Sequence, residues 1–117
     1  MKVEDNITKA KIQLQKNFPI WAYLSQFLKF MKVEKGQIAC DTMGVNCVTG
    51  EVGYVGEFIE GLEDNELIGV LAHEIQHIAF LTELRQGSRD RDGWNCATDL
   101  AINSLLSKNN FILPKKI

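Results

Sequence analysis

The fold of this 117-residue chain depends on one stretch near its middle, Val70-Leu71-Ala72-His73-Glu74-Ile75-Gln76-His77-Ile78-Ala79. Apolar residues surround its two histidines and its glutamate, and no other position in the stretch is charged. Acidic and capping residues at positions 63–66 precede it, as is typical of a helix N-terminus. We therefore predict a long helix that is buried on most sides, with Arg85 in its last turn and Gly87 as its stop.

Two helices are predicted before this one. Residues 3–15 are charged but place apolar side chains at helical spacing, at Ile7, Ala10 and Leu14. Pro19 suits the first turn of a second helix, in which apolar residues recur at helical period as far as Met31. Residues 30–34 also fit the alternation of a strand, so the end of this helix stays open between the two interpretations.

Between residues 35 and 55, glycines separate short β-prone pieces, among them 37–40 and 51–55. This pattern predicts a small, irregular sheet with turns. Residues 57–62 then look like a helical turn that is closed by glycine. Together with the helices, these pieces indicate an α+β fold in a single domain of residues 1–117.

A further helix is predicted after a charged loop at residues 88–93. It runs from about Trp94 to Ser107, and the asparagines at 109 and 110 end it. We expect an apolar stripe to face the core, while a polar line at spacing four shares another face. The stripe comprises Trp94, Ala97, Ala101 and Leu105, and the polar line comprises Asn95, Asp99 and Asn103. Residues 111–114 are interpreted as a final extended piece.

Composition excludes several classes of protein. Hydrophobic residues make up 45% and charged residues 24%, as in ordinary globular proteins, and the formal net charge is -2. We therefore expect no binding to nucleic acid and none to a membrane. Residues 1–6 lack the apolar stretch of a secretory signal, and three cysteines without CxxC spacing argue against a disulfide framework. We expect a cytoplasmic protein.

His73 and His77 are the two histidines of the chain, four residues apart on the predicted central helix. This spacing points both imidazoles the same way, so that they can converge on one metal ion. Glu74 lies next to the first histidine, near the same face but outside a ligand position. Because a metal ion acidifies water and a carboxylate can accept its proton, the arrangement suits metal-assisted hydrolysis with Glu74 as general base.

An alternative is that both histidines are core residues, with Glu74 paired to one of them. Burying two imidazoles and a carboxylate in an apolar helix is costly without compensation. A small domain has little stability to spare. We therefore favour the metal site.

A catalytic zinc site usually has three protein ligands and water, so a third ligand is needed. We choose Asp99, the middle member of the polar line, because a lone carboxylate on a helix that otherwise packs needs a partner. Asn95 and Asn103, one turn to either side, could orient it. The alternative is that Asp99 simply faces solvent.

Glu83 is the rival ligand, because some zinc peptidases place their third ligand six residues after the second histidine. That placement needs a sharp turn after His77, usually at a glycine, and here the position is Phe80. The predicted helix runs straight on and would carry Glu83 away from the metal. Weaker candidates are Cys96, Asp90 and Asp92.

Two segments of the chain resemble a known family. The first is Val70–His77, and the second, after a basic loop, is Trp94–Asn103, with the pattern Trp-Asn-x-Ala-x-Asp-x-x-x-Asn. Together with residues 51–62, they are similar to the metallopeptidase domain of bacterial and phage proteins that often carry a von Willebrand factor A-like domain behind it. The resemblance covers the second half of the chain well and the first half weakly.

The resemblance implies a zincin-like fold, in which a small mixed sheet packs on the active-site helix and a following helix supplies the third ligand. It implies that His73, His77 and Asp99 bind one zinc ion per chain and that Glu74 is the general base. It also implies a peptide or protein substrate that lies along an edge strand near residues 52–55.

We therefore predict a zinc-dependent metallopeptidase that hydrolyses peptide bonds, with Tyr54 on the expected edge strand as one candidate donor to the oxyanion. Two alternatives remain. One is a zinc-binding interaction module without turnover, because 117 residues leave little room for a substrate cleft. The other is a latent peptidase that needs a partner, in which residues 111–117 lie across the cleft.

Overall fold

The structure, a computed structural model, describes residues 3–37, 42–82 and 84–114. In these ranges five helices and three strands follow in the order α1 (Val3–Asn17), α2 (Pro19–Ser25), β1 (Lys29–Val33), β2 (Met43–Val45), β3 (Glu51–Val55), α3 (Gly56–Glu60), α4 (Asp64–Phe80) and α5 (Arg91–Lys108). The predicted α+β class is confirmed. No helix in the described ranges is both long and apolar enough to cross a membrane.

Helix α1 forms where the apolar spacing predicts it and ends at Asn17. Its buried residues lie three or four positions apart and so share one face: Val3, Ile7, Ala10 and Leu14. This face packs against α4, which is thereby covered from one side. Full burial of a side chain the size of leucine contributes about 1.5–3 kcal/mol to such packing.

Helix α2 is shorter than its apolar period suggests. It ends at Ser25, and β1 begins at Lys29. The helical interpretation as far as Met31 is therefore wrong, and the strand interpretation of residues 30–34 is right. The physical reason is that β1 pairs with β3, a distant partner that local periodicity cannot report.

The sheet has the strand order β1-β3-β2, with β1 parallel and β2 antiparallel to β3. Strand β3 is therefore central, and the expectation of an edge strand at residues 52–55 is wrong, because β1 occupies its other side. Among the described strands β2 is at an edge of the sheet, and it contacts α4. Apart from Gln37, the predicted piece 37–40 lies outside the described residues.

Tyr54 lies in the hydrophobic core with Val52, its neighbour on the same side of β3, and is 4% exposed. Burial, and then the negative charge of Glu4 in α1, raise the pKa of the Tyr54 phenol. The charged neighbour of this residue thus belongs to α1. With β3 in the centre of the sheet, Tyr54 lacks the edge position on which its candidacy as an oxyanion donor depended.

A short connection leads from α3 into α4. Gly61 closes α3, as predicted. The Glu63 N–H then donates to Glu66 Oε1 at 3.0 Å, which satisfies one of the free donors near the start of the helix. Helix α4 begins at Asp64, and its buried residues comprise Leu67, Gly69, Val70, Leu71, Ala72, His73, Glu74, Ile75 and Gln76.

The end of α4 differs from the prediction. Leu81 adopts a left-handed conformation (φ 53°), and the Thr82 N–H donates to the His77 carbonyl at 3.1 Å. The helix therefore stops before Arg85, and the expectation that it runs straight on past Phe80 is wrong. A left-handed leucine is unfavourable by itself, so contacts of the following loop must stabilise this turn.

Helix α5 begins at Arg91, earlier than predicted, because the Asp90 side chain caps it. This carboxylate accepts a hydrogen bond from the Gly93 N–H at 2.8 Å. The helix ends at Lys108 and has Asn109 as its C-terminal cap, which agrees with the predicted stop.

The buried stripe of α5 comprises Thr98, Ile102 and Leu106. The predicted stripe is wrong at Ala97 and Ala101, which are exposed. Large apolar side chains gain more from burial than alanine does, so the isoleucine and leucine of the stripe set the rotation of the helix. That rotation turns Asp99 and Asn103 toward α4.

In the described part of the C-terminal segment, residues 111–114, Phe111 and Leu113 pack against the core and Ile112 is exposed. Phe111 is buried, and its ring centre lies 3.9 Å from that of Phe18 and 5.1 Å from that of Trp21. The expectation that residues 111–117 lie across the cleft is therefore wrong for 111–114, because aromatic packing holds them elsewhere. Residues 115–117 lie outside the described ranges.

Gly69 of α4 provides the room for this packing, because a Cβ there would overlap the Ile112 carbonyl oxygen. We expect Gly69→Ala to lower the free energy of unfolding by about 1–3 kcal/mol, the usual cost of overpacking, even though alanine favours helices. Urea denaturation measures the difference. The control is Gly44→Ala, whose added Cβ meets nothing within 4 Å. An equal loss in both variants, or none in Gly69→Ala, would contradict this role.

Candidate metal centre

Helices α4 and α5 bring polar side chains together at matching spacing. Asp99 Oδ1 lies 3.2 Å from His73 Nε2 and 3.0 Å from His77 Nε2. The two Nε2 atoms are 3.1 Å apart. One nitrogen of each ring and one carboxylate oxygen therefore face a common point, and the three atoms lie within 3.2 Å of one another. Such a group could hold a metal ion.

The second nitrogen of each ring is held by a neighbour. His73 Nδ1 lies 2.7 Å from Asn103 Oδ1, and His77 Nδ1 lies 2.9 Å from Thr82 Oγ1. A ring protonated at Nδ1 donates to these oxygens and leaves its Nε2 lone pair directed at the common point. Two imidazole nitrogens and one carboxylate oxygen suit a divalent metal ion, and rings fixed in this way are typical of metal ligands.

The group is open to solvent on one side. The His73 side chain is 3% exposed and that of His77 16%, whereas the Asp99 side chain is 44% exposed. A metal ion or another ligand can therefore reach the donor atoms from the side of Asp99, while His73 faces the protein interior.

Glu74 is almost completely buried, at 4% exposure, beside the two histidines. Burial raises the pKa of its carboxyl to about 7, and the charges of His73 and His77 oppose part of this effect. Such a pKa makes the carboxyl a suitable proton acceptor and donor near neutral pH. A bound cation would act in the same direction as the imidazoles and lower the pKa further.

The electrostatics of the other groups favour positive charge at the common point. Partial burial acts to raise the pKa of Asp99, but hydrogen bonds from His73 and His77 outweigh it and hold this pKa well below its usual range. Burial acts to lower the pKa of His73, but Asp99, Glu74 and Asn103 outweigh it and raise the pKa. A proton or a metal ion at the rings is stabilised by the same carboxylates.

The structure brings together the three residues that the sequence nominates as ligands, His73, His77 and Asp99. Asn103 contacts His73, whereas the expectation placed it beside Asp99, and Asn95 is exposed. Of the weaker candidates, Cys96 is exposed, Asp90 is the cap of α5, and Asp92 is exposed in its first turn. Glu83 lies outside the described residues.

Thr82 is the site residue that the sequence analysis missed. Its hydroxyl meets His77 only because α4 ends and the chain turns back at Leu81. A helix continued to Arg85 would carry residue 82 away from the histidine. The sequence holds little signal for this turn, since leucine rarely adopts a left-handed conformation.

Comparison with known proteins identifies one match. A family model described as "Putative metallopeptidase domain" matches residues 2–117. No curated protein and no solved structure matches the chain. The match includes His73, Glu74, His77 and Asp99 and confirms the family expected from the sequence. It does not test the linkage to a von Willebrand factor A-like domain.

Burial of the Glu74 carboxyl should make the free energy of unfolding depend on pH. A carboxyl whose pKa is raised from 4.5 to about 7 on folding destabilises the protein increasingly as pH rises between these values. We expect Glu74→Gln to stabilise the metal-free protein at pH 8 by about 3 kcal/mol more than at pH 4.5. Urea denaturation in the presence of a chelator measures this, with Glu60→Gln on the exposed end of α3 as the control. A difference that does not depend on pH would contradict the assignment.

Metal content tests the third ligand. We expect about one zinc ion per chain in the purified wild type, as in catalytic sites with three protein ligands. Asp99→Ala should weaken binding more than about 100-fold, because loss of a ligand costs more than loss of a supporting residue. Glu83→Ala, the variant of the rival residue, should keep its metal. Elemental analysis after dialysis decides, and full zinc content in Asp99→Ala would exclude this ligand.

Proposed function

Because the chain belongs to this family of metallopeptidase domains, we propose that it is a zinc-dependent metallopeptidase of zincin-like architecture, which hydrolyses peptide bonds. His73, His77 and Asp99 are the proposed ligands, and Glu74 is the proposed general base. The observation that carries the proposal is the convergence of three donor atoms within 3.2 Å of one another, with the buried Glu74 carboxyl on the helix that holds both histidines.

Zinc is the metal that this donor set favours, since two imidazoles and one carboxylate suit it better than they suit magnesium or calcium. The two histidines would bind through Nε2, because Nδ1 of each ring already faces an oxygen of Asn103 or Thr82. Asp99 would bind through its carboxylate. When bound, the ion supplies positive charge that polarises the scissile carbonyl and acidifies water.

Glu74 would move the proton. Its carboxylate accepts a proton from the attacking water as the new bond to the carbonyl carbon forms. It then donates that proton to the leaving amine as the carbon–nitrogen bond breaks. Its position next to His73, rotated by about 100° along the helix, keeps it close to the ligands without making it one of them. The low exposure of Glu74 and His73 keeps bulk water from screening these charges.

A peptide or protein substrate would approach from the side of Asp99, where the site is open. Strand β2, Met43–Val45, lies at an edge of the sheet in the part of the chain that the structure describes, and it contacts α4. An extended peptide can add to such an edge through main-chain hydrogen bonds. We therefore assign the substrate to β2 in place of the central strand β3.

Replacement of the base separates catalysis from metal binding. We expect Glu74→Gln to cut the rate of peptide hydrolysis by about 100-fold to 10,000-fold, the usual contribution of general acid–base catalysis, and to retain zinc. Cleavage of casein and of a peptide library is measured with the zinc-loaded proteins, and Glu60→Gln is the control.

Two other outcomes discriminate the alternatives. Cleavage by Glu74→Gln at the wild-type rate would contradict the proposed mechanism. A zinc-loaded wild type that cleaves none of these substrates, but keeps a binding partner in the Glu74→Gln form, would instead favour a zinc-binding interaction module.

A further inference from the structure

Trp94 of α5 contacts the loop that follows α4. Its indole N–H donates to the Thr82 carbonyl oxygen at 2.7 Å. The Arg89 guanidinium lies 4.8 Å from the centre of the Trp94 ring, on which it packs as a cation over an aromatic face. Arg89 also donates to the Arg85 carbonyl at 2.8 Å. The described part of this loop is thus tied to the first turns of α5 through one tryptophan.

These contacts leave Thr82 little freedom. Its N–H donates to the His77 carbonyl, its carbonyl accepts from Trp94, and its hydroxyl lies 2.9 Å from His77 Nδ1. The residue is 7% exposed. Each of its three polar groups is therefore engaged, and the hydroxyl faces the imidazole because the other two fix the backbone.

The two histidines are oriented by different kinds of element. Asn103, the partner of His73, lies within the long helix α5. Thr82, the partner of His77, lies in a loop that begins with the left-handed Leu81. Because loops are more mobile than helices, the orientation of the His77 ring depends on what fixes the loop. The hydrogen bond from the Trp94 indole to the Thr82 carbonyl is one contact that holds this loop, and it connects the loop to α5.

We propose that Trp94 is a positioning residue of the metal site, which holds Thr82 through its indole N–H so that the Thr82 hydroxyl fixes the His77 imidazole for metal binding. The inference rests on the metal site of the proposed function and does not require that the protein cleave peptides. Under this inference Trp94 orients a proposed metal ligand, whereas its place in the predicted apolar stripe of α5 suggests core packing.

The test compares the full chain with single variants in binding of Zn²⁺ and Co²⁺ alone. Trp94→Phe removes the N–H and keeps an aromatic ring under Arg89. Thr82→Val removes the hydroxyl at nearly constant shape. Trp21→Phe is the matched control, because its indole N–H also donates to an oxygen, that of the Gln76 side chain at 3.0 Å, but does not reach a proposed ligand. Chelator competition gives the affinities.

We expect Trp94→Phe and Thr82→Val each to weaken zinc binding by about 10-fold to 100-fold, as is typical for residues that orient a ligand. The double variant should lose little more than either single variant, since both act through the same contact. The visible spectrum of bound Co²⁺ should shift in Trp94→Phe, and Trp21→Phe should match the wild type in both measurements.

Wild-type affinity and an unchanged Co²⁺ spectrum in folded Trp94→Phe would overturn the inference, and so would additive losses in the double variant. Either result leaves the proposed function intact, whereas a wild type that binds no metal removes both. Urea denaturation of the metal-free proteins separates lost stability from lost affinity. If Trp94→Phe does not fold, benzothienylalanine at position 94 replaces the N–H by sulfur in a ring of the same shape, and the same criteria apply.

Discussion

The contact between α4 and α5 is the interaction on which the site depends. Helix α4 is buried on most sides. Each of its histidines would lower the free energy of unfolding by about 1–3 kcal/mol if its polar atoms had no hydrogen-bond partner. Matching spacings on helices that run in opposite directions let Asp99 meet both rings and Asn103 meet His73. The apolar packing of α5 sets the rotation that makes these contacts possible. The packing of the core therefore also determines the geometry of the site.

The packing of α5 against α4 does not account for the burial of the Glu74 carboxyl. Its carboxyl lies in the interior of α4, where burial penalises its charged form, and the neighbouring imidazoles compensate only part of that penalty. A glutamine of nearly the same shape would avoid the cost. A group that opposes stability in this way is expected where its chemistry is used, since functional sites are the usual places at which local rules are broken.

The sequence predicted the parts of the fold that local spacing determines. The face of α1 and the convergence of His73 and His77 follow from positions three or four apart, and the start of α4 follows from its capping residues. Asp99 was chosen because a lone carboxylate on a packed helix needs a partner. Three features could not be predicted, because each depends on distant contacts. The pairing of residues 29–33 with 51–55 makes β3 central, two large side chains set the rotation of α5, and the loop after Leu81 ends α4.

The pattern Trp-Asn-x-Ala-x-Asp-x-x-x-Asn on α5 becomes intelligible as a series of contacts along one side of α4. Trp94 reaches Thr82, Asp99 reaches both histidines, and Asn103 reaches His73. Steps of five and four residues advance about 7.5 Å and 6 Å along α5, while the partners run back along α4 and its following loop. Asn95, the remaining asparagine of the pattern, is exposed. The apolar stripe predicted through Ala97 and Ala101 failed because Ile102 and Leu106 set the rotation of α5. The same rotation directs the polar residues of the pattern to their partners on α4 and its following loop.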